Sequence, residues 1–164
     1  MPPTVVLTDL VFPAQTNYFG TMFGGHVMAM MDKAAVLAAI RYSRLAFVTI
    51  SSDSIQFLTP IHQGDIIEAR ARVAWTGNTS LIVKVEVYRE DRFGDHRHLC
   101  TVGWFALAAR GRDGKKAQVP SFIPTTDQER ADHDHAAQFR VRSLQRACQE
   151  GQEYAADTMN PPPR

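Results

Sequence analysis

The sequence predicts an α+β domain in which a curved antiparallel sheet wraps one long central helix, with a second, amphipathic helix near the C-terminus. Three observations predict it. From Gly25 to about Tyr42 the chain is apolar almost all round and has no internal Gly or Pro, which suits a helix surrounded by other structure. Between residues 46 and 111, period-2 alternation recurs between turn signals, as strands require. After Pro124 the chain becomes charged and carries a narrow apolar stripe at helical spacing.

The elements follow in order. TVVLTDLVF near the start is a first strand candidate. In the helix only Asp32 and Lys33 are charged between Val27 and Ile40, and Arg41 and Arg44 mark its last turn. FVTISSDSIQFL is the next strand, ending at Thr59-Pro60 and the turn His62-Gln63-Gly64-Asp65. In DIIEARARVAW, Ile67, Ala69, Ala71, Val73 and Trp75 share one face, and Glu68, Arg70 and Arg72 the other. Thr76-Gly77-Asn78 forms a hairpin connection. It leads to TSLIVKVEVYRED, where Leu81, Val83, Val85 and Val87 alternate with Ile82, Lys84, Glu86 and Tyr88. Residues 98–110, HLCTVGWFALAAR, are apolar on both faces and suit an interior strand. These four strands read as a meander joined by short turns. One helix cannot cover a sheet face of this size, so self-association is expected.

In the tail, Ala137, Val141, Leu144 and Cys148 stand at i, i+4, i+7 and i+11, predicting a helix from about Asp127 to Gln149 that packs on the body or on a neighbouring subunit. The organisation expected is a main domain over 1–124, a packing or assembly helix over 125–150, and a disordered tail over 151–164.

A chain of 164 residues fits one domain able to bury a core without disulfides or structural metal. Its 18 basic and 17 acidic residues give a net charge of +1, which argues against a nucleic-acid or membrane-surface partner. No apolar run approaches the roughly 20 residues of a membrane span. Cysteine is confined to Cys100 and Cys148, and the N-terminus lacks a signal-peptide pattern. A cytoplasmic protein with free thiols is expected.

Asp32 is the first chemical candidate. A carboxylate in an apolar helix either pairs with a neighbouring cation or a wet seam, or it serves as a general base or nucleophile, and both readings stand. Gly24-Gly25 is the second. The first N–H groups of a helix lack intrahelical partners, and glycine lets a ligand reach them, so either an oxyanion hole or a tight loop-to-helix turn fits. Asp32 follows Gly25 by two turns, roughly 10 Å. One carbonyl cannot touch both within one helix, so a joint site needs two subunits. Asn17 is either a turn residue or a group that orients water or a carbonyl. Thr79 and Ser80 open a strand, where hydroxyls and N–H groups either close the turn or hold a phosphate. The histidine pairs His96/His98 and His133/His135 lack a third ligand at metal spacing, so no metal site is expected, and both read as surface positions.

These residues carry a resemblance. TNYFGTMFGGHVMAMMD (Thr16 to Asp32), SIQFLTPIHQGD (Ser54 to Asp65), GNTSLIVKVEV (Gly77 to Val87) and DGKKAQVP (Asp113 to Pro120) together resemble the hotdog-fold acyl-CoA thioesterases of the cytosolic acyl-CoA hydrolase type. The resemblance runs over roughly residues 5–124. It implies a hotdog fold assembling as dimers and then tetramers or hexamers. It implies hydrolysis of acyl-CoA to free acid and coenzyme A, with no metal or organic cofactor. On the matching positions, Asp32 is the catalytic carboxylate, Asn17 the catalytic or positioning amide, and Gly25 the backbone N–H that polarises the thioester carbonyl. Gly24, Thr79, Ser80 and Lys115 or Lys116 are then substrate contacts, and Met22, Met28 and Met31 either line an acyl pocket or pack the core. Tyr18-Phe19 depart from the small or polar residues usual between the Asn and Gly, which predicts a narrowed site. Two competing readings are a non-catalytic acyl-CoA-binding or sensing protein and a hydratase on the same fold. For the hydratase, His26 and Asp32 stand at i and i+6 and do not face one another.

Overall fold

The structure is a computed structural model and describes residues 4–90 and 96–159. Five antiparallel strands form one sheet: β1 (Val5–Leu10), β2 (Ala46–Phe57), β3 (Ile66–Thr76), β4 (Ser80–Glu90) and β5 (Arg97–Arg110). Helix α1 (Gly24–Ser43) lies on one face and α2 (Asp127–Met159) packs on the other.

The strand order is β1-β3-β4-β5-β2. The expected meander therefore holds for β3-β4-β5 only; β2 pairs with β5, and β1 with β3. The reason is the segment from Leu58 to Asp65, which crosses one end of the sheet instead of turning back on β2. It is tied down by Met22 N donating to the Ile61 carbonyl at 2.7 Å and Val11 N donating to the Asp65 carbonyl at 3.0 Å. A crossing loop of this kind leaves a hollow at the sheet end, directly below the start of α1.

α1 packs through Val27, Met31, Ala34, Ala35, Ala38 and Ala39. Four small alanines let its axis approach Ile67, Ala69, Ala71 and Val73 of β3 and Leu81, Val83, Val85 and Val87 of β4. Arg44, in the left-handed region at φ 61°, ends the helix with its N–H on the Ile40 carbonyl. The expected all-round burial does not hold within one chain: Gly25, His26, Met28, Ala29 and Ile40 are exposed, as are Val48 and Ile50 on the open edge of β2. Exposed apolar residues grouped in this way offer a surface on which a second chain can pack.

Trp75 departs from its expected face. A bulge at Ala74 pairs Val73 with Val83 but Trp75 with Ile82, so Trp75 turns outward to the layer under α2. That layer holds Ala74, Ile82, Trp104 and Ala106 against Ala136 and Phe139.

α2 begins at a capping box: Thr126 Oγ1 accepts from Glu129 N, and Glu129 Oε2 accepts from Thr126 N, both at 3.2 Å. Its docking face is Asp132, Ala136 and Phe139, one step round from the expected Ala137-Val141-Leu144-Cys148 stripe, whose Val141, Leu144 and Cys148 are exposed. Charge chose the face: Asp132, 6% exposed, binds Arg72 Nη2 at 2.9 Å and Lys84 Nζ at 3.0 Å. Glu86 completes this network with Arg72 and Lys84. His135 is on the surface as expected, and its ring stacks on Trp104 with centroids 4.5 Å apart. The helix runs to Met159, past the expected end near Gln149, and residues 160–164 of the expected tail lie outside the described residues. Glu153, Ala155 and Ala156 favour helix, and the proline run begins only at Pro161.

Candidate active site

The loop before α1 is organised by Asn17. Its Oδ1 accepts from Phe19 N at 2.9 Å and Thr21 N at 3.3 Å, and its Nδ2 donates to Thr21 Oγ1 at 3.0 Å. Gly20 closes the turn at φ +76°, its N–H on the Asn17 carbonyl at 3.0 Å; only glycine takes that conformation at no steric cost. The turn reading of Asn17 is thus realised, and it places the amide just ahead of the helix. Tyr18 and Phe19 lie against each other at the tip, with ring centroids 4.0 Å apart and the planes tilted by 39°, and project into solvent. Within one chain they do not narrow the site.

Phe23 is the N-cap of α1 and makes no side-chain cap. The His26 and Val27 N–H groups turn back to the Phe23 carbonyl, whereas those of Gly24 and Gly25 have no intrachain partner among the described residues. Two adjacent free donors at the positive end of a 20-residue helix form a preorganised anion site. Both glycines are crowded. A Cβ on Gly24 would lie 3.3 Å from Phe57 Cζ, and one on Gly25 would lie 2.7 Å from Phe23 Cε1. The hollow at the sheet end is a cavity of about 340 Å³, reached from the Gly24 side and walled by Met22, Val27, Phe57, Ile61 and Thr101.

Asp32 sits two turns along α1, half-buried beside β2. Its Oδ1 accepts from Thr49 Oγ1 at 2.5 Å. The alternative partners raised from sequence, Lys33 or an arginine, are not used among the described residues. Thr49 is the residue that sequence reading missed. Nothing local marks a threonine in a strand; only the packing of β2 against α1 brings it to the carboxylate.

The remaining candidates divide. Thr79, Ser80 and Lys115 cluster at the β3–β4 hairpin end: Ala109 N donates to the Thr79 carbonyl at 2.9 Å, and Arg110 bridges to Lys116. Ser80 pairs with Ala108 while Thr49 pairs with Leu107, so they lie near one end of the sheet, two strand spacings or about 10 Å apart. Alternation puts Ser80 on the face away from α1. Within one chain the structure does not bring these three together with Asp32, nor Asp32 with Gly25. Met31 is core, Met22 lines the cavity, and Met28 is exposed on the open face of α1. Among the described residues no group of three or more His, Cys, Asp or Glu is placed to hold a metal ion, and no helix is long and apolar enough to cross a membrane.

Comparison with known proteins bears on this arrangement. The Thioesterase superfamily description matches residues 19–92. The uncharacterised acyl-CoA thioester hydrolase YkhA of Bacillus subtilis is 37% identical over 134 residues, 82% of this chain and 78% of that one. An acyl-CoA hydrolase from Staphylococcus aureus, solved with butyryl coenzyme A, coenzyme A and coenzyme A disulfide, superposes with TM-score 0.86 at 34% identity, covering 93% of this chain and 94% of that one. Alanine variants of that hydrolase at an asparagine, an aspartate and a threonine have also been solved, the aspartate 15 residues after the asparagine and the threonine 17 after the aspartate. Asn17, Asp32 and Thr49 have the same spacing. A hexameric thioesterase from Yersinia pestis matches with TM-score 0.65 at 32% identity, over 70% of this chain and 93% of that one.

Proposed function

The chain belongs to the hotdog-fold acyl-CoA thioesterase family, and from that premise we propose that it hydrolyses fatty acyl-CoA to free acid and coenzyme A at a site shared between two subunits. The observation that carries this reading is the Thr49–Asp32 hydrogen bond, which fixes a carboxylate at the open side of α1, two turns from the free N–H groups of Gly24 and Gly25.

The roles follow from the geometry. Thr49 donates to Oδ1 and so leaves Oδ2 to face the substrate, either to take a proton from water or to attack the thioester carbon itself. In the first route the water oxygen bonds to the carbonyl carbon as its proton passes to Asp32. In the second an anhydride forms and water then cleaves it. In both, negative charge develops on the carbonyl oxygen, where the Gly25 N–H of the other subunit stabilises it. Collapse expels the coenzyme A thiolate. The Asn17 amide, held in its turn, positions water or carbonyl. The uncovered apolar strip of α1 and β2 is the surface through which a second copy supplies the missing half, with tetramers or hexamers built from such dimers. Thr79, Ser80 and Lys115 are the proposed contacts for the coenzyme A arm. The reaction as written needs no metal or organic cofactor.

A thiol-release assay over acyl-CoA chain lengths, on wild type and Asp32→Asn, tests the proposal. Turnover by wild type and its loss in the variant support it. Binding without turnover supports the alternative, a non-catalytic acyl-CoA sensor.

A further inference from the structure

The floor of the cavity below α1 carries a hydroxyl with nothing to bind. Thr101 on β5 pairs with Val87 and Phe57, and through Val87 it shares the face turned toward α1. It is 1% exposed, and its Oγ1 is buried with no hydrogen-bond partner among the described residues. The walls around it are mostly apolar: Met22, Val27, Phe57, Leu58 and Ile61. Thr21 at the rim has its own hydroxyl engaged with Asn17. Buried hydroxyls are nearly always paired, so one left unpaired in the wall of a cavity asks for a partner from what fills it.

Resting on the thioesterase reading, we infer that Thr101 is a specificity-determining residue that reads an oxygen on the acyl group, favouring hydroxy- or oxo-acyl thioesters over unsubstituted chains of equal length. The thioester carbonyl held at the start of α1 has two arms. The coenzyme A arm is polar and charged, so the arm that suits the mostly apolar walls of the hollow is the acyl group. An alkyl chain there covers Thr101 and leaves its hydroxyl unpaired. A hydroxyl or keto oxygen a few bonds along the chain pairs with it. A site built with a buried polar group rejects the analogue lacking the matching atom far more strongly than an apolar pocket rejects a methylene.

The test is thiol release from butyryl-CoA and from each enantiomer of 3-hydroxybutyryl-CoA, by wild type and Thr101→Val. The expected result is that the ratio of kcat/KM, hydroxylated over plain, falls by about 10-fold or more in the variant. The melting temperature should not drop, because valine fills the same volume and removes the unpaired hydroxyl. Thr101→Ser should keep the wild-type ratio, and should the valine variant fail to fold, Thr101→Ala carries the same comparison. A ratio unmoved within about two-fold overturns the inference and leaves the thioesterase reading standing, as it would if a trapped water were the partner. Loss of the ratio in the serine variant overturns it too. Wild type that hydrolyses none of the three but does hydrolyse longer acyl-CoA overturns this inference alone, whereas no turnover at any chain length removes the thioesterase reading and this inference with it.

Discussion

The Thr49 hydroxyl donates to Asp32 Oδ1 at 2.5 Å, joining the edge strand β2 to the third turn of the central helix. The bond explains how a carboxylate persists in an otherwise apolar helix: one oxygen is held by protein and the other is left for chemistry. It also fixes the side chain in one orientation, toward the uncovered side of α1.

Removing the carboxylate's charge should remove the activity while leaving the protein folded. Asp32→Asn keeps the shape and the Thr49 contact, so kcat should fall about 10²–10⁴-fold. Thr49→Val keeps the carboxylate but frees it to rotate, so a smaller loss, on the order of 10-fold and mostly in kcat, is expected. Steady-state thiol release with thermal melts checks both. Equal losses in the two variants would mean that Thr49 does more than orient.

If each site draws on two subunits, two inactive variants should rescue one another. Co-expressed in equal amounts, Asp32→Asn and Gly25→Val should recover about a quarter of wild-type activity, since half the dimers are mixed and each has one intact site. Activity no greater than that of the separate parents would place the whole site in one chain.

Gly25 is expected to matter for access. Alanine there would put Cβ 2.7 Å from Phe23 Cε1, but that ring is exposed and can swing away. Gly25→Ala should therefore fold normally and lose activity. Adding Phe23→Ala should fail to restore it if the methyl blocks the approach to the N–H. Restoration would show that the ring clash alone is at fault.

Beneath α2, burial alone would raise the Asp132 carboxyl, yet hydrogen bonds from Lys84 and Arg72, with their charges, hold it below the usual aspartate range. A group with a lowered folded pKa adds stability that is complete above the unfolded value, near 3.8, and is lost as pH falls through the folded one. Urea unfolding should show stability dropping below about pH 4, and Asp132→Asn should flatten that part of the profile. At pH 7, Asp132→Ala should cost about 1–3 kcal/mol, because Arg72 and Lys84 lose the partner that α2 supplies and keep only Glu86. A cost below 1 kcal/mol would show that α2 is loosely docked.

Alternation, apolar runs and turn signals were enough to predict the five strands and both helices, because these are local properties of the chain. Pairing was not: that β2 joins β5 depends on where the Leu58–Asp65 loop is pinned, and those bonds are made to residues far away in sequence. Trp75 was misplaced because a bulge resets alternation without any mark in the chain. The face of α2 was misplaced because the apolar stripe was weighed and Asp132 was not, although its partners Arg72 and Lys84 lie in outward positions of β3 and β4. In the site, Asp32 and the glycines stood out by being wrong for their surroundings. Thr49 and Thr101 suit strands well, so their contacts appear only in three dimensions.

A second slip carries a wider consequence. On β2, Thr49 pairs with Leu107 while Ser51 pairs with Ala106, the extra residue being Ile50. Thr49 therefore faces the carboxylate, and Ser51, two positions on, faces α2, with its Oγ 3.4 Å from that of Ser143. In a regular strand residues two apart share one side. Here the odd residue separates them, so that a change at Thr49 bears on the carboxylate and a change at Ser51 bears on the docking of α2.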